Sequence, residues 1–197
     1  MAYRGYLNKL KDWNKNEKFR YFNDNTPLED YQSSLFSIGF RIKNENPYDL
    51  YYQGENPNKA LDDLVNLNLL ILDCASSLCL LNFMFMKSIL GSSKFNKFCK
   101  LKLNNYIQFK NFLPFFETQT SKPKSHYKTG DIIYLMADLR AFSFHPSSHT
   151  NGHNLIILNT SPEITCRSFR SDDDRIFTID QCLKNMEKEF YSPLTIK

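Results

Sequence analysis

The sequence predicts an α+β fold, with helices first, a short antiparallel sheet after them and a closing helix. Three observations carry this. Between Asp73 and Gly91, Leu78, Leu81, Phe85 and Ile89 recur at helical spacing, and Phe83, Met86 and Leu90 widen the stripe. From Gly130 the character changes: "GDIIYLMA", "HNLIILN" and "EITCRSF" are runs of strand-forming residues, the last two separated by the turn "NTSPE". "TIDQCLKNMEKEF" then opens with Thr178 and Gln181 at capping-box spacing, which starts the last helix.

The elements before the long helix are shorter. "GYLNKLKDW" is weakly helical, and "TPLEDYQSSLFSIGF" reads as a helix with Thr26 as cap and Pro27 in the first turn. "NENPYDLYYQGENPN" carries Pro, Asn and Gly punctuation and reads as loop. From Asn58, "NKALDDLVN" is a short capped helix, and Leu69 to Leu72 make an extended approach to a helix that starts at Asp73. Gly91 stands where a C-terminal cap is expected. "SSKFNKFCKLKL" continues as another short helix, and "FLPFFETQTSKPKSHYKTG" is a long loop.

A chain of 197 residues can bury one substantial core, and nothing in it divides residues 1–197 into more than a single domain. Its 42% hydrophobic and 23% charged residues belong to a globular protein. The net charge is +4, with the lysines spread along the chain, which points away from nucleic acid as a partner. The five cysteines (Cys74, Cys79, Cys99, Cys166 and Cys182) are odd in number and lack a Cys-x-x-Cys pair. That speaks against a disulfide framework or a zinc knuckle and for thiols in a reducing compartment. "MAYRGYLNKLKDW" has no apolar signal segment, so a cytoplasmic protein is expected. Asp73, Asn82 and Lys87 interrupt the apolar stretch Leu69 to Leu90, so no membrane span is expected.

Cys74 opens its helix, where unpaired backbone N–H groups favour a thiolate, while the neighbouring Asp73 opposes a second negative charge. Ala75, Ser76 and Ser77 leave room for a substrate. The competing reading is a packed core thiol, the role expected of Cys79. A nucleophilic thiol needs a base, and the histidines are His126, His145, His149 and His153. His126 falls in a solvated Pro/Lys loop, and His145 and His149 in a Pro/Ser/Asn/Gly loop. His149 and His153 have i,i+4 spacing, but Gly152 disfavours a helix there and no acid completes a metal set. His153 stands at the mouth of an apolar strand, which would hold it rigidly. Helix-borne cysteine followed by strand-borne histidine is the chain order of papain-like and transglutaminase-like enzymes.

The segment "ALDDLVNLNLLILDCASSLCLLNFMFMKSILGSSKFNKF" resembles the catalytic-helix region of the bacterial spore-coat protein-glutamine gamma-glutamyltransferases. In that family an acid-Cys-Ala-small-small motif opens a long apolar helix, followed by Gly and "FN". "TGDIIYL" and "NGHNLIIL" resemble the family's two downstream strands, so the likeness covers roughly residues 58 to 160 with gaps. The resemblance implies a papain-like/transglutaminase-like domain, with the catalytic helix packed on a short antiparallel sheet. It places the nucleophile on Cys74 and the preceding family acid on Asp73. Two departures stand out: His153 replaces a family glutamate, and the family histidine aligns near Cys166. Base and orienting acid on facing strands are interchangeable if the base reaches the thiol, which restores the order Cys, His, acid.

A hairpin folded about Thr160 and Ser161 puts Ser168 opposite His153, and Asp172 shares that parity further on. Asp172 is therefore the expected acid; Asp173, Asp174 and Glu163 are alternatives, as is a dyad assisted by Asn154 or Asp73. Asp131 closes a turn, and Tyr134, Phe142 and Phe144 read as core. The resemblance implies acyl transfer on a protein glutamine carboxamide through a Cys74 thioester. A lysine or small amine as acceptor gives crosslinking, and water gives deamidation, with no metal or organic cofactor. The alternatives are a non-catalytic binding protein on the same scaffold and a cysteine protease. The Asn- and Lys-rich, Gly-poor composition resembles proteins of AT-rich bacterial genomes, and by analogy a translocated effector or toxin.

Overall fold

A computed structural model describes residues 19–20, 27–103, 123–137, 152–168, 176–182, 184 and 194–196. The described residues through Leu103 belong to one compact unit and those from Pro123 onward to a second. The architecture is α+β, as the sequence predicts.

In the first unit, the two-residue strand β1 (Phe19–Arg20) is followed by helix α1 (Leu28–Ser37). Tyr31 and Leu35, one turn apart, are its buried stripe, while Glu29 and Asp30 complement the positive helix start. Pro27 occupies the N-cap itself rather than the first turn, and Thr26 lies outside the described residues. The helix ends because Gly39 takes φ +87°, and a Cβ there would sit 2.7 Å from the Tyr52 ring.

Strands β2 (Phe40–Lys43) and β3 (Asn46–Tyr52) form a hairpin whose turn residues Asn44 and Glu45 both have positive φ. This corrects the loop expected over "NENPYDLYYQGENPN". The pairings Phe40↔Tyr52 and Ile42↔Leu50, and Leu50↔Leu103 from β5 (Lys102–Leu103), outweigh the local turn signals of Pro47 and Asp49. Phe40, Leu50 and Leu103 are all completely buried.

Helix α2 (Pro57–Val65) starts just before the expected Asn58, since Asn56 accepts the Lys59 N–H at 3.0 Å and Pro57 follows it. Its buried Ala60, Leu61 and Leu64 form one helical stripe. The short strand β4 (Leu70–Ile71) runs parallel to β1 and leads into α3 (Cys74–Phe98). Lys87 of α3 donates to the Asn58 carbonyl and pairs with Asp62, tying α3 to α2.

Every residue from Cys74 to Leu81 is buried, so the start of α3 is a core helix rather than an amphipathic one. Ile89, expected on the buried stripe, is 62% exposed. Gly91, expected to end the helix, has φ +70° and ψ 164° and kinks it, and the helix resumes as far as Phe98. By length and composition α3 is apolar enough to cross a membrane, but more than half of its most apolar window is buried inside the protein.

The second unit holds a five-stranded sheet in the order β10-β6-β7-β8-β9. Its strands are β6 (Ile132–Ala137), β7 (Gly152–Asn159), β8 (Thr165–Ser168), β9 (Ile176–Thr178) and β10 (Leu194–Ile196), all antiparallel to their neighbours. The middle strand is β7, and Asn154 to Leu158 are buried consecutively, which is why the sequence there is nearly continuous in apolar residues. Leu155, Ile157, Ile133, Tyr127, Cys166 and Cys182 are among its core residues. Thr178 and Gln181 exchange the expected capping-box bonds, and helical residues begin at Ile179. A further strand, β10, then pairs with β6, so the chain does not close on a helix alone.

Candidate active site

Cys74 is the first residue of α3, and the preceding segment is held from two directions. The Tyr31 hydroxyl accepts the Ile71 N–H at 3.3 Å and donates to the Ile71 carbonyl at 3.4 Å, acting as a one-residue strand partner. Asp73 is the N-cap: its Oδ1 accepts the Ser76 N–H at 2.6 Å and the Ser76 hydroxyl at 2.7 Å, while the Ser76 Oγ accepts the Asp73 N–H at 2.9 Å. This reciprocal box, Asp-x-x-Ser, was legible as spacing; sequence reasoning started the helix at Asp73 and weighed its charge and its service to a dyad, but not its capping bonds.

Asp73 is a half-buried carboxyl. Burial raises its pKa most, the hydrogen bonds from Ser76 pull it back down, and the Asp49 charge raises it further. The Ala75 backbone N–H adds a smaller downward pull. The Ser76 N–H of the first turn thus serves Asp73.

The sign of the pH effect follows. A folded-state pKa above the unfolded value of about 3.9 contributes stability that is complete below that value and is lost as pH rises through the folded pKa. Asp73→Asn keeps a carbonyl oxygen for the Ser76 N–H and removes the ionisation. Its stability relative to wild type is expected to improve from pH 4 to pH 8 in urea unfolding. Asp73→Ala loses the cap and is expected to cost about 1 kcal/mol. A constant difference between Asp73→Asn and wild type across that range would show that Asp73 is an ordinary solvated carboxylate.

All five cysteines are buried thiols. Cys79 packs in the core as expected, and burial, with Asp73 second, pushes its thiol up. Burial likewise pushes Cys99 up to about 12.

His153 lies on β7 and its backbone pairs with Leu135 of β6. Cys74 belongs to the first unit and His153 to the second. The expected partner register is corrected: Ser168 faces Leu155, not His153, because the turn spans residues 160–164 rather than Thr160 and Ser161 alone, and the one-residue ladder shift between Ile157 and Asn159 only partly offsets it. Asp172, Asp173 and Asp174 lie outside the described residues. So do His145, His149, Phe142 and Phe144. Glu163 is exposed in the β7–β8 turn, and Asn154 is buried.

His126 is exposed in a short 3-10 turn (Lys124–His126). Asp131 closes the turn into β6, accepting the Lys128 N–H at 2.9 Å while its own N–H donates to the Lys128 carbonyl. Among the described residues no group of three or more His, Cys, Asp or Glu side chains could hold a metal ion. In comparisons with protein-family models, curated proteins and solved structures, nothing matches this chain.

Proposed function

We propose that the protein is a cysteine-dependent acyltransferase of the papain-like, transglutaminase-like type, acting on a protein glutamine carboxamide. The observation that carries this reading is the position of Cys74: first residue of a core helix, separated by two residues from a short strand, with small residues following. A thiol there is held by rigid backbone at the positive end of the helix, where an anion is favoured.

In this mechanism the Cys74 thiolate attacks the carboxamide carbon, and the oxyanion draws on the backbone N–H at the helix start. His153 as imidazolium gives its proton to the leaving ammonia, leaving a thioester on Cys74. Asp172 orients the imidazole. A lysine amine, a small amine or water then attacks the thioester while His153 accepts its proton. The acceptor decides between crosslinking and deamidation. No metal or organic cofactor takes part, and the setting is cytoplasmic or that of a translocated effector.

A second reading, a non-catalytic binding protein on the same scaffold, draws on the capping box: the Asp73 carboxylate occupies the Ser76 N–H and hydroxyl beside the thiol. Iodoacetamide labelling near neutral pH separates the two. Cys74 and Cys99 are 8% and 9% exposed, so a rate difference between them reports thiolate content rather than access. With a thiol pushed to about 12, Cys99 holds only about 10⁻⁵ of its molecules as thiolate at pH 7. Cys74 is expected to label at least tenfold faster than Cys99, with the excess lost in His153→Ala. Equal rates, or indifference to His153, would favour the binding protein.

A further inference from the structure

We propose that Cys166 and Cys182 are a redox pair that closes into an intramolecular disulfide when the chain folds under oxidising conditions, stapling β8 to the helical turn after β9. Cys166 sits on β8 opposite Phe177 of β9, and its thiol donates to the Phe177 carbonyl at 3.6 Å. The Thr178–Gln181 capping box then turns the chain so that Cys182 returns onto β8. Cys182 is the neighbour that acts most strongly on the Cys166 thiol, and both cysteines belong to one buried cluster with Leu155 and Ile157. Two cysteines packed in one cluster need only a local approach to reach the bonded sulfur separation of about 2.05 Å.

The remaining cysteines are poorer partners. Cys74 and Cys79 lie five residues apart on one helix, roughly 140° around its axis, and face different directions. An odd set of five therefore accommodates one pair and leaves three thiols.

The chemistry balances with a low-molecular-weight disulfide such as oxidised glutathione. One protein thiolate attacks a glutathione sulfur, forms a mixed disulfide and releases one glutathione, which takes up the proton. The second protein thiol, on losing its proton, attacks the protein sulfur of the mixed disulfide and releases the second glutathione. Two protein thiols are oxidised by two electrons, and one oxidised glutathione becomes two reduced ones. Once the chain is folded, the neighbouring Cys182 and burial both hold the proton on Cys166, and both cysteines are buried. Exchange is then slow, so the pair preserves the redox state of the compartment in which the chain folded.

The test is to unfold and reduce the full chain, then refold it with a mixture of oxidised and reduced glutathione and, in parallel, with excess reductant. After alkylation, peptide mapping reads the links and thermal melting reads the staple. A dominant Cys166–Cys182 link with a melting temperature several degrees above the reduced protein is expected, the increment being absent in Cys182→Ala. Links scattered over the five cysteines, mixed glutathione adducts without the Cys166–Cys182 link, or an oxidised form that melts no higher would overturn the proposal. The wild-type link map and melting comparison decide it even if Cys182→Ala fails to fold. The cysteines of the candidate active site are not involved, so the outcome is independent of the proposed activity.

Discussion

Cys74→Ala is expected to abolish ammonia release from a glutaminyl peptide with hydroxylamine as acceptor, a loss on the order of 10⁴-fold or more. The thioester step has no substitute nucleophile in this mechanism, because Cys79 is fully buried in the core and its thiol is held protonated by burial. Helix α3 should survive the change. Its cap is made by atoms of Asp73 and Ser76, and the thiol contributes none of those bonds. Circular dichroism and a melting temperature within a few degrees of wild type would separate loss of chemistry from loss of fold. If the variant retains the activity of the wild type, Cys74 is not the nucleophile. If His153→Ala retains it while Cys74→Ala does not, the thiol acts with another base.

The second large effect is on stability. Leu155 is completely buried on β7, the middle strand of its sheet, in one cluster with Ile133, Ile157 and Cys166. Leu155→Ala removes apolar contacts and leaves a cavity with strands on both sides, which limits collapse around it. A cost of about 2–5 kcal/mol is expected, read as a fall in the urea midpoint at unchanged slope. Against a typical domain stability of about 5–15 kcal/mol, that leaves a folded but marginal chain. Because Leu155 is two residues from His153 on the same strand, the variant also tests whether β7 must be rigid for activity. A cost below about 1 kcal/mol would mean that the site collapses readily or is not closed.

Much of the local structure was legible because local signals and burial agree. Asp73 marks the start of α3 through a short polar side chain three residues before Ser76, and the apolar run behind it demands a buried helix. Thr178 and Gln181 state their own capping box. "HNLIILN" is too apolar and too short for anything but a strand buried on both faces, and β7 is that strand. The cysteine candidate was readable for the same reason: its place at a helix start is a matter of neighbouring residues.

Other features depend on contacts distant in sequence. Asn46–Tyr52 carries Pro47 and Asp49, poor strand residues, and becomes β3 only by pairing with β2 on one side and β5, some fifty residues on, on the other. The facing of Ser168 and Leu155 depends on a ladder irregularity near Asn159, and a register slip carries no mark in an apolar pattern that is buried on both faces. Ile89 matches the helical stripe in spacing yet is exposed, because the core surrounds the first turns of α3 whereas the later turns bury only Phe95. The meeting of Cys166 and Cys182 follows from the β8–β9 pairing and the turn after it. By itself the sequence determined an α+β chain with a cysteine at the head of a core helix, since caps and periodicity are local. Tertiary structure alone decided which strands pair, in what register, and which thiols touch, because those depend on burial against residues far along the chain.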